Sequence, residues 1–121
     1  MKPIIYFLFM SAFFINCDET QQVESITTLE LRELLTTKNI QLLDVRSPEE
    51  IKDGFIETAV FANFFDNDFK TKASKQLNKS KAVYLYCRSG SRSEKAAALL
   101  IEEGFKVIDV LGGFNQWKKE N

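Results

Sequence analysis

Ala82-Val83-Tyr84-Leu85-Tyr86-Cys87-Arg88-Ser89-Gly90-Ser91-Arg92-Ser93 joins an unbroken apolar run to a loop of small and basic residues. The apolar run is the pattern of a strand buried on both faces of a parallel sheet. From Ser93 to Glu103 alanine and leucine dominate and Gly104 follows, which predicts a helix with a glycine stop. Cys87 therefore stands at a strand-to-helix turn. Backbone N–H groups in such a turn converge on one point, and the helix N-terminus adds the positive end of its dipole. Gly90 permits the bend that a β-carbon would obstruct. A thiol at the edge of this cradle is favoured as the thiolate, and Arg88 and Arg92 add fixed positive charge.

The surrounding segments repeat the strand–helix alternation. Thr27-Thr28-Leu29-Glu30 reads as a capping box that opens a helix running through Leu34 and Leu35. Ile40 to Val45 is a second doubly buried strand. Ser47-Pro48-Glu49-Glu50 starts a short helix that should end near Gly54. Ala59-Val60-Phe61 predicts a short strand, and Phe105 to Val110 the last one. Leu111-Gly112-Gly113 then turns into a terminal helix carrying Trp117, which is expected to pack. Such alternation implies an α/β fold: a parallel sheet with helices on both faces. Ligands of such sheets bind beyond the carboxyl ends of the strands, here the segments after Val45 and Tyr86.

The chain has 121 residues, enough for one domain, and no internal repeat. Its net charge of -1 gives no electrostatic footprint for nucleic acid. Two cysteines, Cys17 and Cys87, are too few for a disulfide framework. The chain has no histidine, which removes the Ser-His-Asp triad, the Cys-His dyad and imidazole-based zinc sites. No metal and no cofactor is expected.

The N-terminus stands apart. After Met1-Lys2-Pro3, residues Ile4 to Ile15 form an apolar run too short to span a bilayer but suited to a secretory signal. Cys17 follows Asn16, and Asp18 to Gln22 is abruptly polar. The reading is a signal with a lipoprotein-like cysteine over 1–17, a polar tether over 18–22 and a folded domain over 23–121. Cys17 would then be lipidated, and the protein would reside in the bacterial envelope, periplasmic or membrane-anchored, touching the membrane through that anchor only. The bulky Phe14 and Ile15 depart from the usual pattern, and an uncleaved anchor or a plain secreted form are the alternatives. Cys87 would be an unpaired thiol in an oxidising compartment.

Taken together, Cys87-Arg88-Ser89-Gly90-Ser91-Arg92-Ser93, Asp44-Val45-Arg46-Ser47-Pro48-Glu49-Glu50, and Leu111-Gly112-Gly113 with Trp117 resemble the rhodanese family of sulfurtransferases. The three motifs span nearly the whole folded region in the family's order. The resemblance implies a five-stranded parallel sheet and transfer of sulfane sulfur through a Cys87 persulfide. The donor would be thiosulfate or another persulfide, and the acceptor a thiol or cyanide. It makes Arg88, Ser89, Gly90, Ser91, Arg92 and Ser93 the persulfide cradle, with Arg88 and Arg92 attracting an anionic donor. Rhodanese-like phosphatases and arsenate reductases carry a longer loop. Here only Arg88, Ser89, Gly90 and Ser91 separate Cys87 from Arg92, a cradle better sized for one sulfur atom. The sequence departs from the family where a Gly-His-Ile run and a Pro-Gly-Ala segment are usual, reading Gly54-Phe55-Ile56 and Glu57-Thr58-Ala59 instead.

Asp44 and Arg46 are expected to support the site, Arg46 by pairing with Glu49 or Glu50. Phe55, Phe61, Phe64, Phe65 and Phe69 are read as core. Some of these rings could instead form an apolar rim for a protein or thiol partner, in which case the domain would be a non-enzymatic sulfur carrier or docking module. Lys70 to Lys81 is read as a solvated face.

Overall fold

A computed structural model describes residues 23–121. The proposed signal, the tether and Cys17 lie outside those residues. Five strands form one sheet: β1 (Glu24–Ile26), β2 (Gln41–Asp44), β3 (Val60–Phe61), β4 (Val83–Tyr86) and β5 (Val107–Val110). They are all parallel, in the order β1-β5-β4-β2-β3. Five helices connect and follow them: α1 (Thr28–Thr37), α2 (Pro48–Ile51), α3 (Phe69–Gln76), α4 (Ser91–Glu102) and α5 (Gly113–Glu120).

Neighbouring residues in the strands face opposite ways, so each strand feeds two cores. Leu43, Val83, Leu85 and Val107 pack with Phe69 and Ala73 of α3 and with Ala96, Ala97 and Leu100 of α4. Leu42, Tyr86 and Val110 pack on the other face with Leu31 of α1 and Phe114 of α5. Both faces of the sheet are thus covered, and the doubly apolar run of β4 and the adjacent Leu42 and Leu43 of β2 follow from that.

Both predicted capping boxes are present. Thr27 caps α1 with Glu30 closing the box, and Ser47 caps α2 with Glu50 closing it. Two elements were not anticipated. The supposed solvated face begins with α3, of which only Phe69 and Ala73 are buried. β1 is a three-residue edge strand whose first two side chains are exposed. Helix α4 also starts at Ser91, two residues earlier than expected, with Gly90 as its N-cap at φ 122°. Ser91, Arg92 and Ser93 therefore form its first turn, where N–H groups lack intrahelical acceptors.

The strand order positions the site. β4 and β2 are neighbours in register, Asp44 beside Tyr86, yet the chain leaves β4 towards β5 and β2 towards β3. Opposite departures open a crevice at the carboxyl ends of these two strands. The segments after Asp44 and Tyr86 meet there, and the Val45 N–H donates to the Tyr86 carbonyl at 3.0 Å.

Thr58 is the one non-glycine residue at positive φ among the described residues, at 75°. A β-branched residue is strained in that region. The backbone at Glu57-Thr58-Ala59 thus keeps a left-handed bend without the glycine that would adopt it freely.

Candidate active site

Cys87 directly follows β4 and is 1% exposed, part of the core between the sheet and α4. Its Sγ accepts two backbone hydrogen bonds, from Gly90 N–H at 3.0 Å and Ser93 N–H at 3.3 Å. The expected cradle is therefore narrower at the sulfur itself: two of the loop amides reach Sγ rather than all of them. The Ser93 hydroxyl donates to the Gly90 carbonyl at 3.1 Å and fixes the turn between those two amides.

What turns the remaining amides is α5. Phe114 N–H donates to the Cys87 carbonyl at 2.9 Å, and Asn115 N–H donates to the Arg88 carbonyl at 3.0 Å. In a planar trans peptide the carbonyl and N–H point in opposite directions. Drawing the Cys87 and Arg88 carbonyls towards α5 therefore turns the Arg88 and Ser89 N–H groups away from it. These two donors have no acceptor among the described residues. The N-terminus of one helix holds the back of the loop, and the N-terminus of another, α4, completes its front.

The contact is close enough to specify glycine. Gly113 has φ 58°, and a β-carbon there would lie 2.5 Å from the Cys87 carbonyl oxygen and 2.7 Å from that of Arg88. Sequence reading registered Gly112-Gly113 as a motif. The reason for the second glycine appears only once the loop carbonyls are in place.

The arginines divide their work differently from expectation. Arg92 is not a free anion collector. Its Nη1 and Nη2 donate to Glu50 Oε1 and Oε2 at 2.8 and 2.7 Å, and its guanidinium lies 5.1 Å from the centre of the Phe65 ring. The same Glu50 carboxylate accepts from Ser47 N–H and the Ser47 hydroxyl at 3.0 Å each. Glu50, expected as a helix cap and as one of two candidate partners of Arg46, keeps its cap but pairs with Arg92, clamping α2 to the first turn of α4. The Arg92 hydrogen bonds outweigh burial and, with help from Ser47, hold the Glu50 carboxyl down to about 2. The clamp is thus intact in any but strongly acid solution. Arg88 is exposed, with Glu50 at 3.9 Å, a distance that leaves its charge largely available. Ser89 and Ser91 are exposed on the outer side of the loop.

Arg46 does not pair with the Glu49 or Glu50 carboxylate. It forms a forked ion pair with Asp44 (Nη2 to Oδ2 2.7 Å, Nε to Oδ1 3.0 Å), with exposures of 2% and 0%. Its other donors reach the Gly54 and Glu50 carbonyls at 2.8 and 3.4 Å. The guanidinium lies 4.3 Å from the centre of Phe114 and 5.6 Å from that of Tyr86. Burial opposes the Arg46 charge, but Asp44 outweighs it and the pKa is raised. Asp44 is the carboxylate within reach of this buried pocket, whereas Glu50 is already engaged. The pair braces the Gly54 turn against α5 and the strand that carries Cys87. Asp44→Ala is expected to cost about 3–5 kcal/mol, because it strands a buried cation. Urea unfolding measures this, and a loss below about 1 kcal/mol would show that the pair does not brace the fold.

A cavity of about 50 Å³ beside the loop is walled by Arg46, Arg88 and Lys118 and by Glu50 and Asp53. The aromatic cluster is only partly core. Phe69 is buried at 3%, but Phe55, Phe61 and Phe65 are 47%, 38% and 66% exposed. Phe55 and Phe61 meet edge to face with ring centres 5.2 Å apart.

The chain is similar in sequence and fold to known proteins. A family model described as "Rhodanese-like domain" matches residues 27–120. The chain is 35% identical over 100 residues to the "Putative sulfurtransferase YtwF" of Bacillus subtilis, covering 82% of this chain and 94% of that one. It is 33% identical over 97 residues to the "Thiosulfate sulfurtransferase GlpE" of Coxiella burnetii, covering 78% and 87%. Among solved structures, a rhodanese-like domain protein from Staphylococcus aureus superposes with a TM-score of 0.72 at 33% identity, covering 78% of this chain and 91% of that one.

Proposed function

Since the chain belongs to the rhodanese-like domain family, we propose that it moves sulfane sulfur from thiosulfate or a persulfide to a thiol or cyanide through Cys87. The observation that carries the reading is the pair of amide hydrogen bonds to Sγ at 3.0 and 3.3 Å. Amide donors aimed at the sulfur can hold the negative charge that arrives and leaves there during transfer, in a chain that has no histidine. The Cys87 thiolate attacks the outer sulfur of the donor and forms an S–S bond. The donor's own S–S bond breaks, and its electron pair leaves with sulfite or a thiolate. In the second step the acceptor's lone pair attacks the outer sulfur, and the Cys87 thiolate departs with the electrons of the S–S bond. On this reading the Arg88 and Ser89 amides, which lack acceptors among the described residues, join the first-turn amides of α4 in holding the outer sulfur. Arg88 draws the anionic donor.

Incubating the protein with thiosulfate should add the mass of one sulfur atom at Cys87, and cyanide should remove it as thiocyanate. If no donor, thiosulfate or persulfide, yields either the adduct or turnover, the reading fails.

The exposed Phe55, Phe61 and Phe65 favour a second reading, in which a protein partner docks on these rings and takes the sulfur directly. Stable persulfidation with negligible turnover by small acceptors would distinguish it. The envelope location rests on Ile4 to Ile15 and Cys17. The mass of the mature N-terminus tests the lipoprotein form: a lipidated Cys17 as first residue supports it, and an unprocessed Met1 overturns it in favour of the uncleaved anchor.

A further inference from the structure

Behind the cradle lies a carboxylate that sulfur transfer does not use. Asp109 is the third residue of β5, 4% exposed, in a strand otherwise wholly apolar. Its Oδ1 is buried with no hydrogen-bond partner among the described residues. Such an orphaned acceptor is costly to bury and calls for an explanation. The alternation of β5 points it to the same face as Val107, towards α4. That helix carries the buried Ser93 in its first turn, and the Ser93 hydroxyl is among the groups that act on the Asp109 carboxyl.

Ser93 has a single hydroxyl proton. The structure shows that proton on the Gly90 carbonyl, at 3.1 Å. A neutral Asp109 would donate its own proton to Ser93 Oγ and leave that bond in place. An ionised Asp109 is a stronger acceptor than a peptide carbonyl. It would draw the Ser93 proton to itself and release the Gly90 carbonyl. Both Gly90 and Ser93 supply the amides that hold Cys87 Sγ.

We propose that Asp109 is a positioning residue for the Cys87 cradle, acting through the single hydroxyl proton of Ser93. The proposal rests on the sulfurtransferase reading of Cys87. Burial, foremost, pushes the Asp109 carboxyl above its usual 3.8. The Ser93 hydroxyl and the Val110 amide resist, and Glu94 adds to the rise. Glu94 on α4 is the charged group facing it. Its register partners, Leu85 on β4 and Ser25 on β1, carry no charge.

The test is a pH titration of the isotopically labelled full chain by NMR. The Asp109 carboxyl carbon should titrate above 3.8, and the Gly90 and Ser93 amide resonances should move with the same midpoint. In Asp109→Asn, whose amide imitates the neutral acid, those amides should keep their acid-side positions throughout. In Ser93→Ala, Asp109 should still titrate while Gly90 no longer follows. Because the folded acid is harder to ionise than the unfolded one, its contribution is fully present below 3.8 and falls away as pH rises through the folded midpoint. Asp109→Asn should therefore unfold at higher temperature than wild type at neutral pH, an advantage that vanishes below 3.8. Sulfur transfer by Asp109→Asn should be about fivefold faster than wild type above the Asp109 midpoint and equal below it, the effect of one neutral hydrogen bond. A Gly90 resonance that stays fixed while Asp109 titrates, or an Asp109 midpoint at or below 3.8, would overturn the proposal. The resonance and unfolding measurements need no sulfur donor. A failure to load Cys87 would thus sink the sulfurtransferase reading and leave the proton exchange measured on its own.

Discussion

Cys87→Ser should leave a folded protein that never gains the mass of a sulfur atom, whatever donor is offered. Serine is close to cysteine in shape, and its Oγ can still accept from the Gly90 and Ser93 amides that now meet Sγ. What it lacks is an accessible anion. A serine hydroxyl with no base beside it is not ionised at neutral pH, and the chain contains no histidine to serve as that base. Transfer should fall by at least about three orders of magnitude, as expected when a nucleophile is removed. Unfolding and thiosulfate:cyanide turnover measured side by side check it. If turnover persists in a folded Cys87→Ser variant, the sulfur passes through no thiolate at this position.

Gly113→Ala should injure the same site without touching the sulfur. Alanine at φ 58° costs about 1–2 kcal/mol in backbone strain alone. The added carbon would also fall within 2.8 Å of three backbone atoms of Cys87 and Arg88. Backbone cannot rotate aside as a side-chain tip can, so the loop must move outward and its bonds to Phe114 and Asn115 must lengthen. A displacement of about 1 Å at reacting atoms lowers rates about a hundredfold, and that is the loss expected in turnover. Gly104→Ala provides the control. There φ is 102°, but the new carbon meets only the Lys79 side chain, at 3.6 Å. It should lose stability and keep its specific activity once folded. Equal turnover in both variants would mean that the α5 contact does not shape the cradle.

Local chemistry explains what could be read from the sequence. The capping boxes of Thr27 and Glu30 and of Ser47 and Glu50 act within four residues, so their outcome does not depend on distant chain. The apolar run of β4 and the Leu42-Leu43 pair of β2 need only a sheet covered on both faces. Helix α3 was missed because its apolar face is two residues, Phe69 and Ala73, among lysines and polar side chains. β1 was missed because an edge strand three residues long carries too short a pattern. The loop and its cysteine were legible for the same reason as the strands, since a strand, a glycine bend and a helix start are contiguous. The long-range partners were not. Glu50 and Arg92 are 42 residues apart, and the sequence points instead to the nearby Arg46 as the partner of Glu50. Asp109 sits in an apolar strand as a single anomaly, and nothing within the strand names Ser93 as its neighbour.

The depth of Cys87 has a consequence for what can react with it. Exchange between sulfurs requires three of them in line, and a residue 1% exposed offers a folded thiol almost no such approach. A persulfide extends the reach by one S–S bond, about 2 Å. On the sulfurtransferase reading, the empty site admits slim donors and turns away bulky disulfides, while the charged site pushes its cargo one atom outward to where a larger acceptor can collect it. Unloaded, the protein is shielded from being trapped as a mixed disulfide; loaded, it becomes available to its customer.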